Sequence, residues 1–86
     1  MKKLSIFYLE NCPYCKQAFK YLEELFLTGQ FQGIELEKIE ESRQTEIADT
    51  YDYYYVPSFY LEKTKLHEGA CSKEDVEKVL NLVLNS

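Results

Sequence analysis

Two cysteines stand two residues apart in the segment Asn11-Cys12-Pro13-Tyr14-Cys15, directly after the apolar run Leu4 to Leu9. Such a pair can hold a structural metal, close a structural disulfide, or open and close a disulfide as its chemistry. Pro13 suits the first position of a helix, where no backbone N–H is needed. Cys12 then falls just before the first turn, where free N–H groups and the positive end of the helix dipole favour a thiolate. Cys15, three positions on, lies on the inward stripe of that helix, shielded yet within disulfide reach of Cys12. The expected roles are Cys12 as nucleophile on a substrate disulfide and Cys15 as the thiol that resolves the mixed disulfide. His67 and Cys71 could complete a Cys-Cys-His-Cys zinc set. The two halves of that set are more than fifty residues apart, and a helix-opening proline replaces the glycine-bearing turn that usually aims two thiolates at one ion. No metal is therefore expected. His67 reads as an exposed strand residue and Cys71 as a half-buried small side chain.

The elements that position this pair must come from one small domain, residues 1–86, because a chain of 86 residues buries too little surface for two cores. A hydrophobic content of 45% with 15% aromatic residues argues for a folded chain. Ten Lys and Arg against fifteen Asp and Glu leave a net charge of −5. That balance disfavours nucleic acid and anionic membranes as partners, since polyanion binding draws on Lys and Arg. Seven acidic residues between Glu35 and Asp52 read as a solvated face. The run Leu4 to Leu9 is too short for a signal-peptide core or a membrane span, so a cytoplasmic protein is expected. A lasting structural disulfide is disfavoured in that reducing compartment.

Leu4 to Leu9 reads as a strand buried on both faces. From Pro13, apolar residues recur at three- and four-residue steps through Cys15, Ala18, Phe19, Leu22, Leu25 and Phe26, the stripe of an amphipathic helix ending at Thr28-Gly29. Ile34 to Ile39 alternates as a second strand, and Ser42 is expected to cap a short helix with Ile47, Ala48 and Tyr51 on one face. Ser58 to Glu62 and Lys65 to Glu68 form a hairpin around Lys63-Thr64. Ser72 and Asp75 resemble a capping box before a helix carrying Val76, Val79, Leu80, Val83 and Leu84. Tyr51, Tyr53, Tyr54 and Tyr55 are expected to pack at the sheet edge. The order β-α-β-α-β-β-α gives an α/β domain with one mixed sheet and helices packed on it.

Cys-Pro-Tyr-Cys at 12–15, Val56-Pro57, and Gly69-Ala70-Cys71-Ser72, in this order and spacing, resemble glutaredoxin, over nearly the whole chain. The resemblance implies the thioredoxin-like fold with a four-stranded sheet, and a monomeric dithiol oxidoreductase that reduces protein disulfides or glutathione mixed disulfides. It implies a cis-Pro57 beside the active pair. It also implies glutathione as co-substrate, held by Tyr14, by Val56 and Pro57, and by Cys71 and Ser72 at the start of the last helix, without a metal. Where many members carry a lysine three residues before the nucleophile this chain has Leu9, and Tyr55, Ala70 and Lys73 also depart from the family pattern. A glutathione-independent redoxin recharged by a flavin-dependent reductase is therefore the alternative, alongside a metal or iron–sulfur module using Cys12.

Overall fold

The computed structural model describes residues 2–86. Its elements are β1 (Lys2–Tyr8), α1 (Pro13–Leu27), β2 (Ile34–Glu40), α2 (Thr45–Ala48), β3 (Ser58–Leu61), β4 (Thr64–Glu68) and α3 (Lys73–Leu84). The sheet order is β2-β1-β3-β4. β1 pairs in parallel with β2 over Lys2↔Ile34 to Tyr8↔Glu40 and antiparallel with β3 over Ser5↔Tyr60 to Phe7↔Ser58, while β3 and β4 form an antiparallel hairpin. This is the thioredoxin-like α/β fold expected above, with a mixed four-stranded sheet.

The continuous apolar run makes β1 an inner strand, because successive side chains serve opposite faces of the sheet. Leu4 and Ile6 point into the main core with Ala18, Leu22 and Leu25 of α1 and Val76, Val79, Leu80 and Val83 of α3. Phe7 points the other way, into a thinner layer with Ile39, Tyr60, Ala48, Tyr51 and Tyr53. Its ring centroid lies 4.6 Å from that of Tyr51, 5.0 Å from Tyr53 and 5.6 Å from Tyr60. Among the described residues no helix is long and apolar enough to cross a membrane.

Four local expectations are corrected. Ser42 does not cap α2: the cap position is Gln44, with no side-chain hydrogen bond, and the Ser42 hydroxyl instead donates to Glu40. Ile47 is exposed, while Ala48 and Tyr51 do turn inward, because a single helical turn offers room for little more than one small side chain. The hairpin turn falls at Glu62-Lys63, with Glu62 at φ 56°, so Thr64 already belongs to β4. The tyrosines divide: Tyr51 and Tyr53 cover the sheet at Phe7, whereas Tyr54 and Tyr55 are 84% and 71% exposed.

Candidate active site

Cys12 is the N-cap of α1, with φ −91° and ψ 116°, and Pro13 is the first helical residue. Its sulfur accepts the Cys15 backbone N–H at 3.2 Å, and its carbonyl accepts from Lys16 N at 3.0 Å. The sulfur therefore stands where the unpaired N–H groups and the positive end of the helix dipole lie. The first turn of α1 carries no acidic residue. Cys12 is half-buried and Cys15 is buried at 1% exposure, and all three cysteines are free thiols. The Cys15 thiol is pushed up to about 12, chiefly by burial, then by its hydrogen bond to the Cys12 sulfur, with the charges of Cys12 and Glu41 acting in the same direction. The pair is thus asymmetric: one sulfur faces the mouth of a helix, and the other keeps its proton behind it.

The loop before β3 supplies the opposite wall. Val56-Pro57 is a cis peptide, as expected, and the Cys12 thiol lies 3.9 Å from the Val56 carbonyl oxygen. Glu68 at the end of β4 and Gly69 just after it hold this loop. Glu68 accepts the backbone N–H groups of Tyr54 and Tyr55, the latter at 2.9 Å, while Lys65 donates to it at 2.7 Å. These three donors, Lys65 first, hold the Glu68 carboxyl down to about 2. The Gly69 N–H donates to the Pro57 carbonyl at 2.8 Å, from a backbone with φ +90° that favours glycine.

On the other side of Cys12 a depression of about 410 Å³ is lined by Leu9, Glu10, Asn11, Cys12, Glu40, Ser42 and Arg43. Glu40, Ser42 and Arg43 were not singled out from the sequence as site residues. The available signal was Ile39 followed by Glu40 at the C-terminal end of a strand parallel to β1, the end where α/β sheets place their sites.

Of the residues expected at the site, Cys12, Cys15, Val56 and Pro57 come together, and Tyr14 projects from the first turn of α1, 57% exposed. Cys71 and Ser72 stand at the opening of α3 and do not line the depression. Ser72 Oγ accepts from Asp75 N at 3.1 Å, and Ser72 N donates to Asp75 Oδ2 at 3.0 Å, a complete capping box. Cys71 is half-buried, as expected, and its thiol is pushed up to about 11, mainly by burial. His67 is half-buried instead of exposed, with Nε2 3.1 Å from the Ala70 carbonyl oxygen. Among the described residues no three His, Cys, Asp or Glu side chains converge on a point where an ion could sit.

A family model described as "Thioredoxin domain" matches residues 2–81. The chain belongs to the thioredoxin-domain family. Solved thioredoxin-fold structures resemble it closely in shape. A mutant thioredoxin from Halobacterium salinarum superposes with a TM-score of 0.68 at 19% identity, covering 96% of this chain and 72% of that one. The germline-specific thioredoxin Deadhead from Drosophila melanogaster gives 0.64 at 19% identity, covering 96% and 78%. A structure described only as a malarial protein gives 0.71 at 17% identity, covering 95% and 96%. No curated protein matches the chain in sequence. At these identities the structural neighbours establish the thioredoxin fold alone.

Proposed function

We propose that this thioredoxin-domain protein is a dithiol thiol–disulfide oxidoreductase that reduces disulfides of protein partners, or glutathione mixed disulfides, through Cys12 and Cys15. The observation that carries the reading is the Cys12 sulfur at the mouth of α1, on the Cys15 N–H, with a buried protonated Cys15 behind it. The Cys12 thiolate attacks one sulfur of the substrate disulfide. A Cys12–substrate disulfide forms, and the first substrate sulfur leaves as a thiolate that takes up a proton. Cys15 then gives up its proton and attacks the Cys12 sulfur. The second substrate thiol leaves, and the chain keeps a Cys12–Cys15 disulfide. The substrate has gained two electrons, which an external dithiol, or two equivalents of a monothiol, must return. No metal takes part in these steps.

The source of those electrons separates two versions of the reading. Glutathione as co-substrate is favoured by exposed Tyr14 beside Cys12 and by the Val56 carbonyl at 3.9 Å, with Pro57, Cys71 and Ser72 as the remaining contacts. A flavin-dependent reductase is favoured by the opening of α3, where Asp75 already occupies the Ser72 N–H and Glu74 adds a second negative charge against a carboxylate ligand. Leu9, in place of a lysine, points the same way. The cytoplasm and a monomeric state fit either version. Turnover of a small mixed disulfide is measured first with glutathione and glutathione reductase, then with NADPH and a thioredoxin-reductase-type flavoenzyme. Activity in the first pair alone selects glutathione, activity in the second alone selects the flavoenzyme, and inactivity in both, with substrate disulfides untouched, overturns the oxidoreductase reading.

A further inference from the structure

The depression beside Cys12 is walled by a carboxylate with an unusual number of duties. Glu40, the last residue of β2, is only 6% exposed. Its Oε1 accepts both the backbone N–H and the hydroxyl of Ser42 at 2.6 Å, and its Oε2 accepts the backbone N–H of Glu10 at 3.2 Å. Glu10 belongs to the turn that delivers Cys12, closed by the Cys12 N–H on the Leu9 carbonyl at 3.2 Å. From outside, Arg43 Nη2 donates to Glu10 Oε2 at 2.6 Å and so ties the same two segments a second time. Three donors hold the Glu40 carboxyl below its ordinary range, the Ser42 hydroxyl foremost, with Arg43 adding a favourable charge. The neighbouring Glu41 is raised, chiefly by burial and then by the Glu40 charge. A carboxylate placed this deep costs stability unless its lone pairs are filled, and here they are filled by donors from both sides of the depression.

Resting on the assignment of Cys12 as nucleophile, we propose that Glu40 is a positioning residue: by holding the Glu10 N–H it fixes the turn Leu9–Asn11, and thereby keeps the Cys12 sulfur on the Cys15 N–H at the mouth of α1. Two effects of Glu40 on Cys12 have opposite signs. As a negative charge lining the same depression, together with Glu10 and opposed by Arg43, Glu40 disfavours a second anion on the sulfur. As a brace it favours that anion by holding the sulfur against the helix. The positioning role requires the second effect to prevail, which makes the sign of a substitution decisive.

Glu40→Gln keeps the volume and removes the charge, but its amide has one accepting oxygen and one donating nitrogen, so it cannot serve Ser42 and Glu10 together. The rate of iodoacetamide labelling at Cys12 is followed against pH by mass spectrometry. If Glu40 positions Cys12, the labelling midpoint rises by about half a unit and the rate below the midpoint falls about threefold. The Glu10 amide at the same time loses protection from hydrogen exchange. An unchanged or lowered midpoint in a folded Glu40→Gln protein overturns the proposal, as does rapid exchange of the Glu10 amide in the unaltered protein. Should Glu40→Gln fail to fold, Glu40→Met, which fills the site without an unpaired polar end, carries the same labelling test with the same sign. Labelling needs no disulfide substrate, so a protein inactive in both reductase assays would still pass or fail here on its own terms.

Discussion

The molecule opens two of its helices in nearly the same way and uses the two openings differently. At α1 the capping atom is the Cys12 sulfur, 3.2 Å from the Cys15 N–H; at α3 it is the Ser72 oxygen, 3.1 Å from the Asp75 N–H. In both, an extended residue precedes the first turn and accepts from the residue three positions on. The difference lies in what surrounds the cap. α3 carries Glu74 and Asp75 in its first turn, and Asp75 returns a hydrogen bond to the Ser72 N–H, so the helix end is neutralised by its own side chains. α1 begins with Pro13 and Tyr14, has no acidic residue in its first turn, and leaves its positive end to a sulfur. A helix terminus becomes reactive when its cap can hold charge and nothing else cancels the dipole.

Exchanging the capping atoms tests this contrast, and the largest effect is expected at α1. Cys12→Ser installs a good cap at a similar position, so unfolding in denaturant should shift little, while disulfide exchange falls to the uncatalysed rate. Cys15→Ser should still form mixed disulfides with a protein substrate but leave them unresolved, visible as a stable adduct by mass spectrometry. The next effect is a rate difference between thiols. In Ser72→Cys, the new thiol at the α3 cap should react with iodoacetamide at pH 7 about tenfold more slowly than Cys12 in the same chain, equivalent to about one pH unit of thiolate supply. Equal rates would mean that any helix opening suffices and that Glu74 and Asp75 are irrelevant.

A smaller change is expected when the α3 cap is simply removed. Ser72→Ala should cost about 1 kcal/mol in a urea titration while leaving labelling at Cys12 unchanged. The smallest effect concerns acid. The Asp75 carboxyl is held below its ordinary value of 3.8, first by the Ser72 N–H and then by the Ser72 hydroxyl. A carboxyl lowered in the folded state stabilises it above the unfolded value, and that contribution disappears as the pH falls through the folded one. The stability difference between the natural chain and Asp75→Asn should therefore be complete at pH 7 and shrink below about 3.8, as followed by thermal unfolding at a series of pH values. A gap that stayed constant into strong acid would show that charge on Asp75 plays no part in the cap.

The two caps also mark how far the amino-acid sequence could be read. The Ser72-Asp75 box, the Pro13 start of α1 and the two-sided run of β1 are local signals, decided by residues within a few positions of one another, and each appears where those residues place it. The positions of Cys12 at the helix cap and of Cys15 on the inward stripe were legible for the same reason, since both are consequences of spacing along one helix. Ser42 misled because its hydroxyl had a better partner two residues back, a buried carboxylate that short-range pattern reading treated as part of a solvated acidic segment. Glu40 is buried by the crossing of β2 beside the Cys12 turn, thirty positions away in sequence, and no local periodicity records such an approach. The tyrosines divided for a similar reason: Tyr51 and Tyr53 meet Phe7 and the sheet, while Glu68 grips the backbone at Tyr54 and Tyr55 and leaves their rings in water.

The Lys2 ammonium donates to the Leu84 carbonyl at 2.6 Å, so the first strand and the end of the last helix meet at one pole of the sheet. Cys12 follows the far end of that strand, beyond seven strand residues that rise about 3.3 Å each. A linker or carrier domain fused at either terminus would thus emerge beside the other terminus and on the side turned away from the thiols. The domain could be tethered by one end or spliced between two neighbours with the pole that carries Cys12 still facing outward.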